Sequence, residues 1–381
     1  MQFIDLQKQY KHLKTRIDKR IQTVLDHGKY ILGPEVKELE ERLSDFVGVK
    51  HSIGVANGTD ALQLALMALD VGPGDAVFTT TFTFFATAEV ISLVGAHPVF
   101  VDIDAQTYNI DPDLLDKAIE RVATEGKYAP KAVISVDLFG LPADYDAISA
   151  IAGKHGLKII EDAAQGFGGS INGKMAGSFG DIATTSFFPA KPLGCYGDGG
   201  AVFTNNDELA EKVISLRVHG KGVDKYDNIR IGLNSRLDTI QAAILLEKLA
   251  EFPREMELRQ SVAGRYDAAL HNQFHIPFVP DGYVSSWAQY TIRPIKGPRE
   301  GYMTQLKESS IPTTVYYGKN MHEQTAFSFL NHQCDSFPIA DEISRAVFSL
   351  PMHPYLDYLE QCEVSSILTR DKINFGSTSE K

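Results

Sequence analysis

The chain has 381 residues, 44% hydrophobic and 23% charged, the composition of a globular chain long enough for one large domain and a smaller one. Its net charge of −12 argues against nucleic acid or an anionic membrane as partner, because gripping a phosphate backbone needs a basic footprint. The three cysteines, Cys195, Cys334 and Cys362, are too few and too scattered for a disulfide framework or a zinc site, and they suit a reducing cytoplasm.

The first residues, Met1 to Gln9, lack the apolar core of a secretory signal, and no apolar run is long enough to span a bilayer, so a cytoplasmic location is expected. Helical periodicity predicts an N-terminal arm with a helix near 11–26, closed by Gly28 and Gly33. Pro34 suits the first turn of the next helix, near 34–47. From 51 to about 205 the pattern alternates. Strands are predicted near 51–55, 76–79, 98–101, 132–136, 157–161, 183–187 and 201–204, with helices near 59–70, 84–94, 112–121 and 144–154. This rhythm predicts an α/β fold with a mostly parallel sheet covered on both faces. No G-x-G-x-x-G follows the first strand, which counts against a dinucleotide site. Helices are predicted next at 207–217, 236–252 and 256–272. A smaller α/β portion follows, with strands at Tyr290–Arg293 and Thr313–Tyr317. The expected division is 1–250 for the arm and large domain and 251–381 for the small domain. Gly376 to Lys381 read as a frayed tail.

Three segments of the large domain carry chemistry. In Gly54-Val55-Ala56-Asn57-Gly58-Thr59-Asp60-Ala61-Leu62 a strand turns into an amphipathic helix, with Thr59 or Asp60 suited to its N-terminus. Free N–H groups and the helix dipole there attract phosphate, although ordinary turn chemistry also explains the pattern. In Lys158-Ile159-Ile160-Glu161-Asp162-Ala163-Ala164-Gln165-Gly166, Asp162 falls at the carboxyl end of a buried strand, the edge where α/β sheets bind ligands. Such an acid is often only a turn residue or cap. It is also what a pyridine nitrogen needs in order to stay protonated. At ~4 Å and an effective dielectric of ~20 the attraction is worth about 4 kcal/mol, or about 3 pKa units. In Thr184-Thr185-Ser186-Phe187-Phe188-Pro189-Ala190-Lys191-Pro192-Leu193-Gly194 a strand stops at Pro189 and a lysine sits between two prolines. Most lysines are solvated surface groups. One held in a dry pocket has a lowered pKa and becomes a nucleophile able to form a Schiff base.

A phosphate cradle, a pyridinium partner and a Schiff-base lysine, in that order, resemble the fold-type I enzymes that use pyridoxal 5′-phosphate. The residues are similar in more detail to the DegT/DnrJ/EryC1/StrS sugar aminotransferase family, which acts on nucleotide-linked keto sugars. The motifs are Ala56 to Leu62, Glu161 to Gln165, Ser186 to Gly194 and Asn234-Ser235-Arg236-Leu237-Asp238, and the likeness runs from Phe3 to Pro354. The resemblance implies a large domain with a mostly parallel seven-stranded sheet and a smaller C-terminal α/β domain. It implies that Lys191 binds the cofactor covalently and shuttles the proton, that Asp162 pairs with the ring nitrogen and that Gln165 contacts the ring oxygen. Gly58, Thr59 and Ser186 would hold the phosphate with Asp60 close by, and Phe84 would stack on the ring. For Phe84, in a segment with three phenylalanines, core packing is the competing reading. Asn234 and Arg236 lie in a motif that reaches the other subunit's site in this family, implying a homodimer with shared active sites. Alternatives are a helix cap for Asn234, and a surface ion pair with Asp238 or Glu247 for Arg236. No metal is implied.

Glutamate would supply the amino group, leaving pyridoxamine 5′-phosphate, and a nucleotide sugar would receive it. Gly28 to Val36 and Lys191 to Gly200 most resemble the subgroup whose acceptor is UDP-2-acetamido-2-deoxy-3-oxo-glucuronate, in O-antigen lipopolysaccharide biosynthesis. Tyr316-Tyr317-Gly318 departs from that subgroup, which carries a histidine segment there near the sugar. A neutral dTDP- or UDP-linked 3- or 4-keto sugar is therefore the alternative acceptor. A sugar dehydratase of the same fold replaces the lysine by histidine, so Lys191 argues against it. A non-catalytic regulatory relative is disfavoured because every cofactor position is intact.

Overall fold

The computed structural model describes residues 1–224, 226–330 and 336–370; Cys334 and the predicted tail at Gly376–Lys381 lie outside them. The arm is α1 (Leu6–His27), which begins earlier than its periodicity predicts because the Asp5 side chain accepts from the Lys8 N–H and caps it. Then come α2 (Pro34–Val47), β1 (His51–Val55), α3 (Gly58–Ala68), β2 (Asp75–Thr80), α4 (Phe85–Leu93), β3 (His97–Val101) and α5 (Pro112–Glu125). The alternation continues with β4 (Ala129–Val136), α6 (Tyr145–His155) and β5 (Lys158–Asp162). A small hairpin, β6 (Ser170–Ile171) and β7 (Lys174–Met175), precedes β8 (Ile182–Ser186), β9 (Gly200–Thr204) and α7 (Asp207–Leu216).

The central sheet has seven strands in the order β1-β9-β8-β5-β4-β2-β3. Only β9 runs against its neighbours; β3, β2, β4, β5 and β8 are parallel in sequence across the sheet. Neighbouring residues of β8 show how both faces are covered. Ile182 joins Ile53, Ile134 and Ile160 beneath Leu62 and Leu66 of α3. Ala183 points the other way, into a cluster with Leu39 and Leu43 of α2.

The rest comprises α8 (Thr239–Leu270), β10 (Phe274–His275), β11 (Tyr283–Val284), β12 (Tyr290–Pro294), α9 (Arg299–Glu308), α10 (Pro338–Ala346), β13 (Phe348–Leu350) and α11 (Tyr358–Leu368). Strands β10, β12 and β13 form a second sheet with its own core of Val262, Tyr266, Tyr290, Leu306 and Phe348. Two expectations are corrected here. The helices predicted at 236–252 and 256–272 are one helix, α8, and residue 250 lies inside it. Pro253 removes one N–H, but buried Leu249, Phe252, Glu255 and Arg259 anchor the helix on both sides of it. The strand predicted at Thr313–Tyr317 does not form: Thr314 makes one bridge to Ser349, and the chain then turns. The apolar rings of Tyr316 and Tyr317 are used against the cavity described next instead of in a sheet.

Candidate active site

The carboxyl ends of β5 and β8 meet the N-terminus of α3, as the rule for ligand sites in α/β sheets anticipates. The cap of α3 is Asn57, whose side chain accepts from the Asp60 N–H at 2.8 Å, so the helix starts at Gly58 and not at Thr59 or Asp60. The N–H groups of its first turn have no helical partner and point outward. Gly58 packs against the end of β8: a Cβ there would lie 2.7 Å from the Ser186 Cβ. Only glycine lets the strand end and the helix end close into one concave anion site, which suits a phosphate.

That cradle opens into a cavity of about 690 Å³. Gly58, Thr59, Asp60, Phe84, Asp162, Gln165, Ser186, Lys191, Tyr316 and Tyr317 all line it. Asp162 is the last residue of β5, and its carboxylate is held twice: Oδ2 accepts from the Thr87 hydroxyl at 2.9 Å and Oδ1 from the Ala164 N–H at 3.2 Å. Burial raises the Asp162 pKa, against the opposing pull of Lys191. Burial lowers the Lys191 pKa, while Asp162 pulls it back up. Desolvation thus brings both groups toward their neutral forms and ties them electrostatically. The Lys191 N–H donates to the Phe188 carbonyl at 2.8 Å, so backbone hydrogen bonds fix the loop without help from the amine.

Gln165 is locked at both ends of its amide. Its Oε1 accepts from the Phe139 N–H at 2.9 Å, and its Nε2 donates to the Tyr317 hydroxyl at 3.3 Å. Burial pushes the Tyr317 pKa well up, so this hydroxyl stays protonated. Phe84 is 54% exposed and is not core; it lines the cavity with its ring 6.2 Å from that of Tyr317.

Asn234 and Arg236 lie outside this lining. Asn234 is not the cap of α8, because Asp238 takes that position; it forms a β-bridge with Val218. Arg236 makes no ion pair among the described residues and donates to the Asn234 side chain at 2.5 Å. Glu247, one of its expected partners, binds Arg16 and Arg20 of the arm instead. His322 is held by Thr81 at 2.7 Å and is also outside the lining.

Sequence reasoning missed Thr87, buried in a chain of hydroxyls from Thr83 to Asp162. Its signal was the spacing of Thr83 and Thr87, one helical turn apart on a stretch of otherwise apolar residues. Ile4 and Gln289 also line the cavity from distant segments, and no local pattern marks them; Asp198 joins them from the Lys191 to Gly200 stretch.

A family model for the DegT/DnrJ/EryC1/StrS aminotransferases matches residues 11–369. The chain belongs to this family. One member, the UDP-2-acetamido-2-deoxy-3-oxo-D-glucuronate aminotransferase of Pseudomonas aeruginosa, is 52% identical over 358 residues, covering 94% of this chain and 96% of that protein. The crystal structure of a family member from Brucella abortus matches with a TM-score of 0.94 and 51% identity, over 97% of this chain and 98% of the other. NtdA from Bacillus subtilis, crystallised with bound cofactor PMP, matches with a TM-score of 0.86 and 32% identity, over 96% of this chain and 82% of that one. The α/β fold with its seven-stranded sheet is the fold of these family aminotransferases.

Proposed function

We propose that this protein is a cytoplasmic homodimer using pyridoxal 5′-phosphate to move an amino group from glutamate to UDP-2-acetamido-2-deoxy-3-oxo-glucuronate, for O-antigen synthesis. The observation that carries the aminotransferase reading is the convergence of Lys191, Asp162 and the Gly58–Ser186 cradle on one cavity. These residues fit the cofactor: a concave anion site at a helix N-terminus, a buried carboxylate, and an amine whose pKa burial lowers. When bound, the cofactor supplies an electron sink for the carbon that loses its proton.

The chain's own residues do the rest. Lys191, with its lowered pKa, is neutral for more of the time at pH 7 and takes and returns the proton. Asp162, fixed by Thr87 and Ala164, holds a proton at the ring nitrogen. Gln165, fixed by Phe139 and Tyr317, orients the ring's oxygen edge. Gly58, Thr59 and Ser186 would hold the phosphate, and Phe84 would cover the ring. The portion before residue 250 supplies most of the cavity, and the portion after it adds Tyr316, Tyr317 and Gln289. The proposed division into 1–250 and 251–381 falls within α8, whose first half packs in the large core and whose second half packs in the small one.

Two features support the dimer. Tyr30, Ile31 and Leu32 expose a continuous apolar step, 43–49% exposed. Asn234 and Arg236 sit outside their own chain's cavity, which suits service in a partner's. Mixing inactive Lys191→Ala with Asn234→Ala should restore part of the activity, since one hybrid site is wholly native. No recovery, with subunit exchange shown independently, would rule out a shared site.

The substrate reading rests on the 52% identity to the glucuronate aminotransferase and on Arg236, an arginine with no carboxylate partner among the described residues. A guanidinium can grip the uronate carboxylate with two hydrogen bonds. Such a contact is worth about 1.5–3 kcal/mol, so Arg236→Ala should lower kcat/KM for the uronate by roughly 10–150-fold and much less for the matching neutral hexose. A wild type that prefers a neutral dTDP- or UDP-linked keto sugar, or an Arg236→Ala loss equal for both acceptors, would replace the uronate by a neutral sugar. Tyr316 and Tyr317 in the cavity wall are what keep that second reading in play.

A further inference from the structure

Behind Asp162 lie two carboxyl groups that the reaction as described does not use. Asp137 follows β4 and Glu161 precedes Asp162 on β5; both are 0% exposed. They lie within hydrogen-bonding reach of each other. Neither has a cationic partner among the described residues. The Glu161 oxygens accept from the Gly177 N–H at 2.6 Å and the Phe179 N–H at 2.7 Å, an arrangement that favours the carboxylate. Asp137 Oδ1 accepts from the Tyr145 hydroxyl at 2.8 Å and the Ala143 N–H at 3.1 Å. Its Oδ2 is buried and has no donor at all. Two adjacent anions in such a place would repel each other with no cation to offset it, whereas one proton on Asp137 Oδ2 satisfies both groups at once.

The pair sits directly under the turn that carries the ring-facing residues. The Asp137 N–H donates to the Asp162 carbonyl at 3.1 Å. A Cβ at Gly166 would lie 2.3 Å from Asp137 Oδ2, so the turn after Asp162 and Gln165 rests on this carboxyl group. Two residues on, the Phe139 N–H holds Gln165.

We infer that Asp137 is a neutral carboxylic acid that donates its proton to Glu161, and that this buried acid–carboxylate pair is the positioning element for the Asp162–Gln165 turn. The charged and titratable groups facing it are Tyr145 from α6 and Glu161 and Asp162 from β5, with Lys191 beyond Asp162 acting on that residue. Burial, the largest cause, pushes the Asp137 pKa up to about 7 and raises that of Glu161 well above the usual carboxylate range, with the charge of Asp137 adding to the rise. What places the shared proton on Asp137 is the geometry, two backbone N–H groups on the Glu161 oxygens and none on Asp137 Oδ2. The folded protein therefore binds a proton that the unfolded chain gives up, so this group's contribution to stability falls as pH rises from about 4 to about 7 and is flat above. The inference rests on Asp162 and Gln165 as the ring-facing residues, but protonation of the pair stands apart from any activity.

The test uses Asp137→Asn, Asp137→Ala and Glu161→Gln in the full chain, before and after loading with pyridoxal 5′-phosphate. An asparagine amide keeps a neutral donor toward Glu161 and an acceptor toward Tyr145. A glutamine at 161 would turn one N–H group against backbone donors. In infrared spectra at about pH 6, above the range where exposed carboxyls hold protons, wild type should show a protonated carboxyl stretch that Asp137→Asn lacks, with or without cofactor. Asp137→Asn should also flatten the fall of Tm with pH. With cofactor, Asp137→Ala should shift the pH dependence of the bound cofactor's absorbance and lose roughly 5–150-fold in turnover, and Asp137→Asn should recover most of both. No buried protonated carboxyl in wild type, or equal behaviour of Asp137→Asn and Asp137→Ala, overturns the inference. Tolerance of Glu161→Gln with collapse of Asp137→Asn would put the proton on Glu161 and overturn it too. If the infrared band is present but the protein never transaminates, the functional reading fails and the pair remains.

Discussion

Lys191→Ala protein should purify folded, should lack the absorbance of lysine-linked cofactor and leave no covalent adduct after borohydride reduction when incubated with pyridoxal 5′-phosphate, and should transfer no amino group. The loop that carries Lys191 is fixed by its own backbone, through Lys191 N–H to Phe188 carbonyl and Cys195 N–H to Phe187 carbonyl, both 2.8 Å. It is also fixed from α8 by the buried Lys248, whose Nζ donates to the Gly194 carbonyl at 2.6 Å. Removing the Lys191 side chain leaves all of these in place, so thermal stability should stay near wild type. Among the described residues the lost amine is the only lysine lining the cavity. Activity should therefore fall by at least the roughly 10²–10⁴-fold that a positioned acid–base group contributes. Absorbance of the loaded protein together with single-turnover assays checks both halves, and a variant that transaminates near the wild-type rate would end the assignment.

Asp162→Asn should keep the yellow colour and lose most of the rate. The substitution is nearly isosteric: the single amide oxygen can take the Ala164 N–H, and the Thr87 hydroxyl can turn to accept from the amide NH2. What disappears is the anion. A neutral amide facing the ring nitrogen no longer holds a proton there and can instead donate to the unprotonated nitrogen. The missing attraction is about 4 kcal/mol by a screened Coulomb estimate, and roughly 10²–10³-fold in rate is the expected share of it. Rates for both half-reactions, measured with the loaded variant, check this; a loss under about tenfold would make Asp162 a turn residue and nothing more.

The parts of the site legible in the sequence were those whose chemistry and backbone geometry are local. Asn57-Gly58-Thr59 needed a glycine at a helix start, Asp162 needed a strand end, and Lys191 needed a rigid proline-bounded loop; each left a mark within a few residues. Thr87 left almost none, because a threonine on an apolar helix looks the same whether its hydroxyl meets a backbone carbonyl or the Asp162 carboxylate. Tyr316 and Tyr317 read as strand because aromatic residues favour strands, and the propensity lost to a tertiary contact with the cavity. The helices predicted at 236–252 and 256–272 leave Pro253 between them, and packing on both sides of it makes them one helix.

By itself, then, the sequence determined the order of the seven main strands and the helices between them from 51 to 205, and the three chemical segments, because periodicity, turn residues and motif spacing are properties of neighbouring positions; the family followed from the resemblance of those segments. Tertiary structure alone decided which distant groups meet. The close approach of Gly58 to Ser186 depends on sheet order, with β8 and β9 lying between β1 and β5. The burial of Asp137 against Glu161 depends on β4 and β5 being parallel neighbours in register, Val136 beside Asp162. A pKa is set by everything within a few ångströms whatever its place in the chain, so the protonation of that pair, like the lowered pKa of Lys191, could be read only once the sheet was assembled.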